Sequence, residues 1–415
     1  MKRSWLRMVF WGACLLQPAV SLAQVAPTTF PIKIVVPAAE HDRGDAVVSI
    51  ALEGSGDLQA SLQLVEMQNG ERKTIPSQWD VQDSPQLWWI MSGNTPAGAE
   101  RHYLLEKVAQ RQSPETMVCI NESESFLEVT RAGAKVLRYN TAVTPLPPDA
   151  DPKYKRSGFI HPIWTPSGEI VTDRAKDYLH QLGVWLAYVG TSFEGRAPNF
   201  WDLLNGRATV QYAETQHRRE GPVFGEFRVV QEHLDLAMPD APVVALQETW
   251  DVRVWNVGQR DDYYLFDLKT TVRCAGTSPV TVKQHNWGGM AIRGAPEWYG
   301  EQCKFLTSEG KTRSQANHTR VRWCDIAGAT AGVWSGMTVM SHPQNLRHPE
   351  PVRVNETIPY FCFVDSFLGD FEITPEKELV LQYRFLVHDG EVQGGQIDPL
   401  WADFASSPVV AKVVE

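Results

Sequence analysis

Almost every periodic stretch in this chain repeats with a period of two, and almost none sustains the 3.6-residue stripe of an amphipathic helix. Such a chain has to pair its strands and bury one face of each sheet against another layer, so the fold class is all-β. In residues 24–117 the runs are short, as in Ile32-Lys33-Ile34-Val35-Val36, Ala46-Val47-Val48-Ser49-Ile50-Ala51-Leu52 and Ser61-Leu62-Gln63-Leu64-Val65. Gly, Asp and Asn turns separate them, which predicts a small N-terminal β-sandwich. The segment 144–152 is rich in Pro and Asp and reads as a loop. Beyond it the strands are longer and more aromatic, at 208–212, 224–230, 243–255, 263–272, 280–284 and 379–387. Consecutive antiparallel strands of this kind predict a large two-layered sandwich over 118–415. No glycine loop of the phosphate-cradling type occurs, which removes kinases, P-loop enzymes and nucleotide-dependent dehydrogenases.

The first residues carry a different signal. Lys2, Arg3 and Arg7 precede an apolar run from about Met8 to Val20, and Ser21-Leu22-Ala23 is a small-x-small cleavage site. Residues 1–23 are therefore expected to be a secretory leader, and the protein to be periplasmic or secreted. No other segment approaches the roughly 18 apolar residues that a spanning helix requires, so an integral membrane span is not expected. The balance of 39 Lys and Arg against 49 Asp and Glu disfavours nucleic acid as a partner. Five cysteines follow the leader, an odd number with no zinc spacing. Cys303 and Cys324 are the candidate disulfide, and five buried thiols are the competing reading.

One strand carries a chemical anomaly. Along 243–255 the even positions Val244, Leu246, Trp250, Val252 and Val254 form an apolar face, and Glu248 falls in the same phase. An ionised carboxylate on a packed face must meet a cation, open into a cleft or hold a raised pKa.

A histidine-proline step occurs in Phe159-Ile160-His161-Pro162 and again in Ser341-His342-Pro343-Gln344-Asn345, the latter followed by Arg347-His348-Pro349. Proline drives the preceding residue into an extended conformation, which predicts each of these histidines at a strand end, where binding groups collect. With Val136-Leu137-Arg138-Tyr139-Asn140, Gly183-Val184-Trp185 and Gly288-Gly289-Met290-Ala291-Ile292-Arg293, these motifs make residues 118–415 resemble the PmoA-like domain family of secreted bacterial proteins. The resemblance implies a galactose-mutarotase-like antiparallel sandwich and a role around carbohydrate breakdown. The membrane monooxygenase from which that family takes its name implies nothing here, since this chain has no spanning segment. This chain also departs from the family pattern. Where the family places a His-Pro-His-His-Arg run, Tyr178-Leu179-His180-Gln181-Leu182 stands, and only His180 survives.

These residues combine into a candidate site. His180, Glu248 and His342 are the candidate catalytic groups, two imidazoles and a carboxylate suited to proton transfer in a lyase or epimerase. His161, Arg293 and Asn345 are candidate substrate-binding groups, and Trp185 and Trp287 are the candidate sugar-stacking rings among fifteen Trp. The expected function is an exported carbohydrate-active protein. Its alternatives are a non-catalytic carbohydrate-binding module and a metal-dependent enzyme. No cofactor is expected, with a metal held by His161, His180 and His342 as the minor alternative.

Overall fold

A computed structural model describes residues 24–25, 30–53, 61–68, 70–80, 85–109, 111, 114–238, 240–257, 263–406 and 409–414. The expected leader lies outside these residues. The large sandwich consists of a nine-stranded and an eight-stranded sheet. The nine-stranded sheet runs Thr319–Val321, Glu350–Val354, Tyr360–Phe363, Gly289–Arg293, Val184–Ala187, Phe159–Ile163, Ala134–Asn140, Phe126–Arg131 and Val118–Glu122. The eight-stranded sheet runs Ala208–Arg219, Phe224–Asp235, Val243–Trp255, Tyr263–Cys274, Leu379–Asp389, Val333–Ser341, Trp323–Thr330 and Cys303–Thr307.

Side-chain alternation decides which face of each sheet is inside. Between the layers Tyr139 packs against Phe227 and Trp250 with ring centroids 5.7 and 5.9 Å apart, and Phe363 meets Tyr383 at 5.4 Å. The period-two reading of Val243–Trp255 holds, with Leu246, Glu248, Trp250, Val252 and Val254 all on the inner face.

The small sandwich pairs two five-stranded sheets around Ile34, Leu64, Trp89, Tyr103 and Leu105. Its boundary differs from the expected one in one respect. Lys412–Val414 pairs antiparallel with Ile32–Val36, and Val409–Val410 pairs parallel with Arg43–Glu53. The end of the chain therefore belongs to the first sandwich. The helix Gly394–Ala405 leads back to it, and Phe404 joins Trp88, Phe224, Trp255 and Met340 in a cluster that seals the small sandwich onto the outer face of the eight-stranded sheet.

The expected disulfide is not formed. Cys303 stands opposite Gly328 and Cys324 opposite Thr307, so the register places the two thiols well apart along neighbouring strands, and all five cysteines are free. Among the described residues no helix is long and apolar enough to cross a membrane.

Candidate functional site

The cleft that holds His180 lies on the outer face of the nine-stranded sheet. The row Ile160, Val184, Ile292 and Phe361 points inward. The neighbouring row, His161, Gly183, Arg293 and Tyr360, therefore points outward. Gly183 has φ +74°, and a Cβ there would stand 2.4 Å from the Ile160 carbonyl and 2.8 Å from the His161 Cβ. Only glycine lets the chain turn at this point without forcing its neighbours apart.

Arg293 organises what covers this row. Its guanidinium is fully buried, with Nη1 donating to Gln181 Oε1 at 2.7 Å and Nη2 to Asp177 Oδ1 at 3.0 Å. Nη2 also reaches the Tyr299 hydroxyl, which donates to Asp177 Oδ2 at 2.6 Å. Burial raises the Asp177 carboxyl, but Tyr299 and Arg293 outweigh that and hold it below the usual carboxylate range. The arginine expected to bind substrate is thus committed to the loop that carries His180. Arg293→Met is expected to keep the sheet intact, because the side chain stays apolar and similar in length, while loosening residues 173–182. Hydrogen exchange should rise at least tenfold in that loop alone.

His180 sits over this clamp. It lines a cleft of about 430 Å³ with Tyr178, Trp201, Trp287, Arg353 and Tyr360 among its walls. Its ring meets Tyr178 edge to face at 6.0 Å, and among the described residues neither ring nitrogen has a hydrogen-bond partner. Burial, reinforced by the Arg156 and Arg293 guanidiniums, pushes its pKa down to about 4, so the imidazole is neutral at physiological pH. Large apolar side chains stand exposed around the opening, with Tyr178 at 47%, Trp287 at 38% and Leu204 at 64%. An open, neutral imidazole beside exposed aromatic faces can exchange hydrogen bonds with hydroxyls while the rings cover an apolar surface of the same ligand.

The other expected site residues go elsewhere. Glu248 is fully buried between the sheets, accepting from Thr270 Oγ1 at 2.7 Å and the Trp250 indole, with His233 Nε2 at 2.8 Å. It is a core residue walled off from the cleft, because its in-phase position on the strand commits it to the interior. Trp185 is likewise buried, 5.1 Å from Trp201 and 6.2 Å from Tyr360, so it backs the cleft wall and presents no face to a ligand. Asn345 is spent on structure, donating to Glu350 Oε2 and to the Gln382 carbonyl, both at 2.9 Å. His161 shares a 3.0 Å hydrogen bond with Thr172 beside the cleft floor, and burial pushes its pKa down to about 4. His161 lies within Phe159–Ile163, not at its end.

His342 does follow a strand end, but on the opposite side of the molecule, outside the eight-stranded sheet, where its backbone N–H donates to the Gln382 carbonyl. The three histidines of the metal alternative therefore do not converge. Among the described residues no group of three or more His, Cys, Asp or Glu is placed to hold a metal ion. Trp287 alone of the two chosen tryptophans lines the cleft. Arg353 and Trp201 were missed. Arg353 alternates out of phase with the buried Val352 and Val354, which marks it as outward-facing, whereas Trp201 lies in a loop where no period applies.

A model of a family of unknown function, DUF6807, matches residues 127–402. No curated protein matches the chain. Among solved structures, two crystal structures of the heparan sulfate lyase HepC from Pedobacter heparinus, one of them a mutant, are similar at 8% sequence identity, with TM-scores of 0.32 and, for the mutant, 0.34. Each likeness covers 69% of this chain and 38% of that one, so the chain spans well under half the length of those proteins.

Proposed function

The chain belongs to DUF6807, a family of unknown function, and we propose that in this member the His180 cleft binds a saccharide. One observation carries the reading: an unpartnered neutral imidazole stands in a cleft rimmed by exposed Trp287 and Tyr178. A sugar presents an apolar C–H face and a ring of hydroxyls. The aromatic rings suit the first, and His180 and Arg353 suit the second. The likeness of the His-Pro and Gly-Val-Trp motifs to PmoA-like proteins, and a location outside the cytoplasm, form part of this proposal. Affinity electrophoresis across a polysaccharide panel, followed by calorimetric titration of the retarding glycan, tests it. Trp287→Ala is expected to weaken binding by roughly tenfold or more. Retention of full affinity by this variant, or no retardation by any glycan, would remove the reading.

The loss of Glu248 from the site favours binding over chemistry. A base with a pKa near 4 is weak at neutral pH, and the carboxylates that line the cleft are already engaged, Asp177 by Arg293 and Tyr299 and Asp202 by Asn199. A catalytic form of the reading is supported by the free nitrogens of His180. An acidic sugar entering the cleft would offset the Arg156 and Arg293 charges and make His180 more basic, which suits elimination from a uronate. Absorbance near 235 nm on uronate polysaccharides reads that reaction directly. Elimination is expected to vanish in His180→Ala and to fall on the acid side near pH 4, where the free enzyme's imidazole takes up its proton. Turnover that survives in His180→Ala would exclude this histidine as the base.

A further inference from the structure

On the far side of the molecule the outer face of the eight-stranded sheet carries two adjacent cross-strand rows of charge. One row runs Arg219, Glu226, Arg253, Asp267 and Arg384. Its members satisfy one another: Arg253 bonds Glu226, and Arg384 takes both oxygens of Asp267 at 2.6 and 2.8 Å. The next row runs Arg228, Asp251, Lys269 and Gln382. In this row Asp251 pairs with Arg228 at 2.5 Å, and among the described residues Lys269 has no ion-pair partner. The second row floors a cleft of about 320 Å³ beneath Asp80 and Trp88 of the small sandwich.

At the end of that row stands His342. It is only 6% exposed, and its Nδ1 accepts the Gln344 N–H at 3.2 Å, which makes Nε2 the protonated nitrogen of the neutral ring. Nε2 has no partner among the described residues, and the ring lines the cleft with its other edge packed on Phe404 at 5.1 Å. A buried imidazole whose one open atom is an N–H donor therefore faces the same hollow as an unpaired ammonium. Gln382 lies between them as the cross-strand neighbour of Lys269, and its carbonyl accepts the His342 backbone N–H.

We propose that Lys269, Gln382 and His342 form a binding subsite for a carboxylate-bearing small molecule, with uronic acids as the fitting sugar class. Lys269 supplies the charge and the His342 Nε2–H a directed donor, joined by the second N–H of the Gln382 amide, whose first reaches Gln344 Oε1 at 3.4 Å. The acids that line the hollow are already engaged, Asp251 by Arg228, Asp267 by Arg384, and Asp80 and Glu226 by Arg219 and Arg253, so they do not consume those donors. The subsite stands apart from the His180 cleft and does not depend on what that cleft binds.

The test uses the full chain carrying Trp287→Ala and His180→Ala, which isolates the far face. Calorimetric titration at low ionic strength compares glucuronate with glucose. Glucuronate is expected to bind saturably and glucose not to bind. Adding Lys269→Gln, a change at an exposed position, should weaken glucuronate about tenfold, and His342→Gln should do likewise. No saturable binding of glucuronate, equal binding of glucose, or unchanged affinity in Lys269→Gln would each overturn the proposal.

Discussion

Replacing Glu248 by Ala is expected to cost about 4 kcal/mol of unfolding free energy without any direct effect on ligand recognition. The carboxylate is the shared acceptor for Thr270, the Trp250 indole and the His233 ring, all fully buried. Truncation leaves those donors with no water to turn to, and an unsatisfied buried donor costs about 1–3 kcal/mol. The cavity adds to the loss, since Tyr139, Phe227 and Trp250 are packed around this point and do not collapse freely. Urea unfolding followed by tryptophan fluorescence measures the change. A loss below about 1 kcal/mol would mean that the three donors find other acceptors.

The second large effect concerns pH. Glu350 is fully buried, accepting from Asn345, Ser341 and, at 2.9 Å, the Tyr383 hydroxyl. Burial pushes its pKa up from 4.5 to about 7, and the charge of Asp365 adds to the rise. Asp365 is itself raised by burial, from 3.8 to about 6. For both groups the folded state holds its proton more tightly than the unfolded chain. Their contribution is fully present below the unfolded pKa and is lost as pH rises through the folded one. From Glu350 alone the native state should lose roughly 3 kcal/mol between pH 4.5 and 8. Glu350→Gln fits the same pocket, because the Tyr383 hydroxyl can turn to accept from the amide. Its stability profile should therefore be flatter than the parent's, with the variant the more stable of the two at pH 8. Parallel profiles for the two proteins would show that Glu350 ionises in the core without penalty.

How much of this was legible in the chain depends on distance along it. The alternation of Val243–Trp255 placed Glu248 on the packed face correctly, because phase is a local property. Its partners were not legible: His233 and Thr270 lie on neighbouring strands and arrive only through register. The second His-Pro motif shows the same limit. Asn345 ties the loop to the Gln382 carbonyl, and Arg347 donates to the carbonyls of Asp365, Gly369 and Asp370. A run of polar residues that reads as a site is here largely a knot, with the His342 edge left open. Arg293 reads as a substrate-binding group in the sequence and is instead the buried clamp of a loop more than a hundred residues earlier. In the cleft, His180 is the residue that the family resemblance singled out, and Trp287 stands in a turn just before the Gly288-Gly289 motif. Leu204 and Trp201 belong to a loop whose path over the sheet no periodicity records.

The return of residues 409–414 to the sandwich that opens the chain has a consequence for biosynthesis. The strands made first lack an edge of one sheet and a flanking strand of the other until residues 409–414 have been made. Ile32–Val36 and Arg43–Glu53 pair early along one edge, with Arg101–Lys107 and Gln86–Thr95, and their other edges wait for residues 409–414. A bulky insertion directly after Lys412–Val414 is expected to load the strand that closes the assembly.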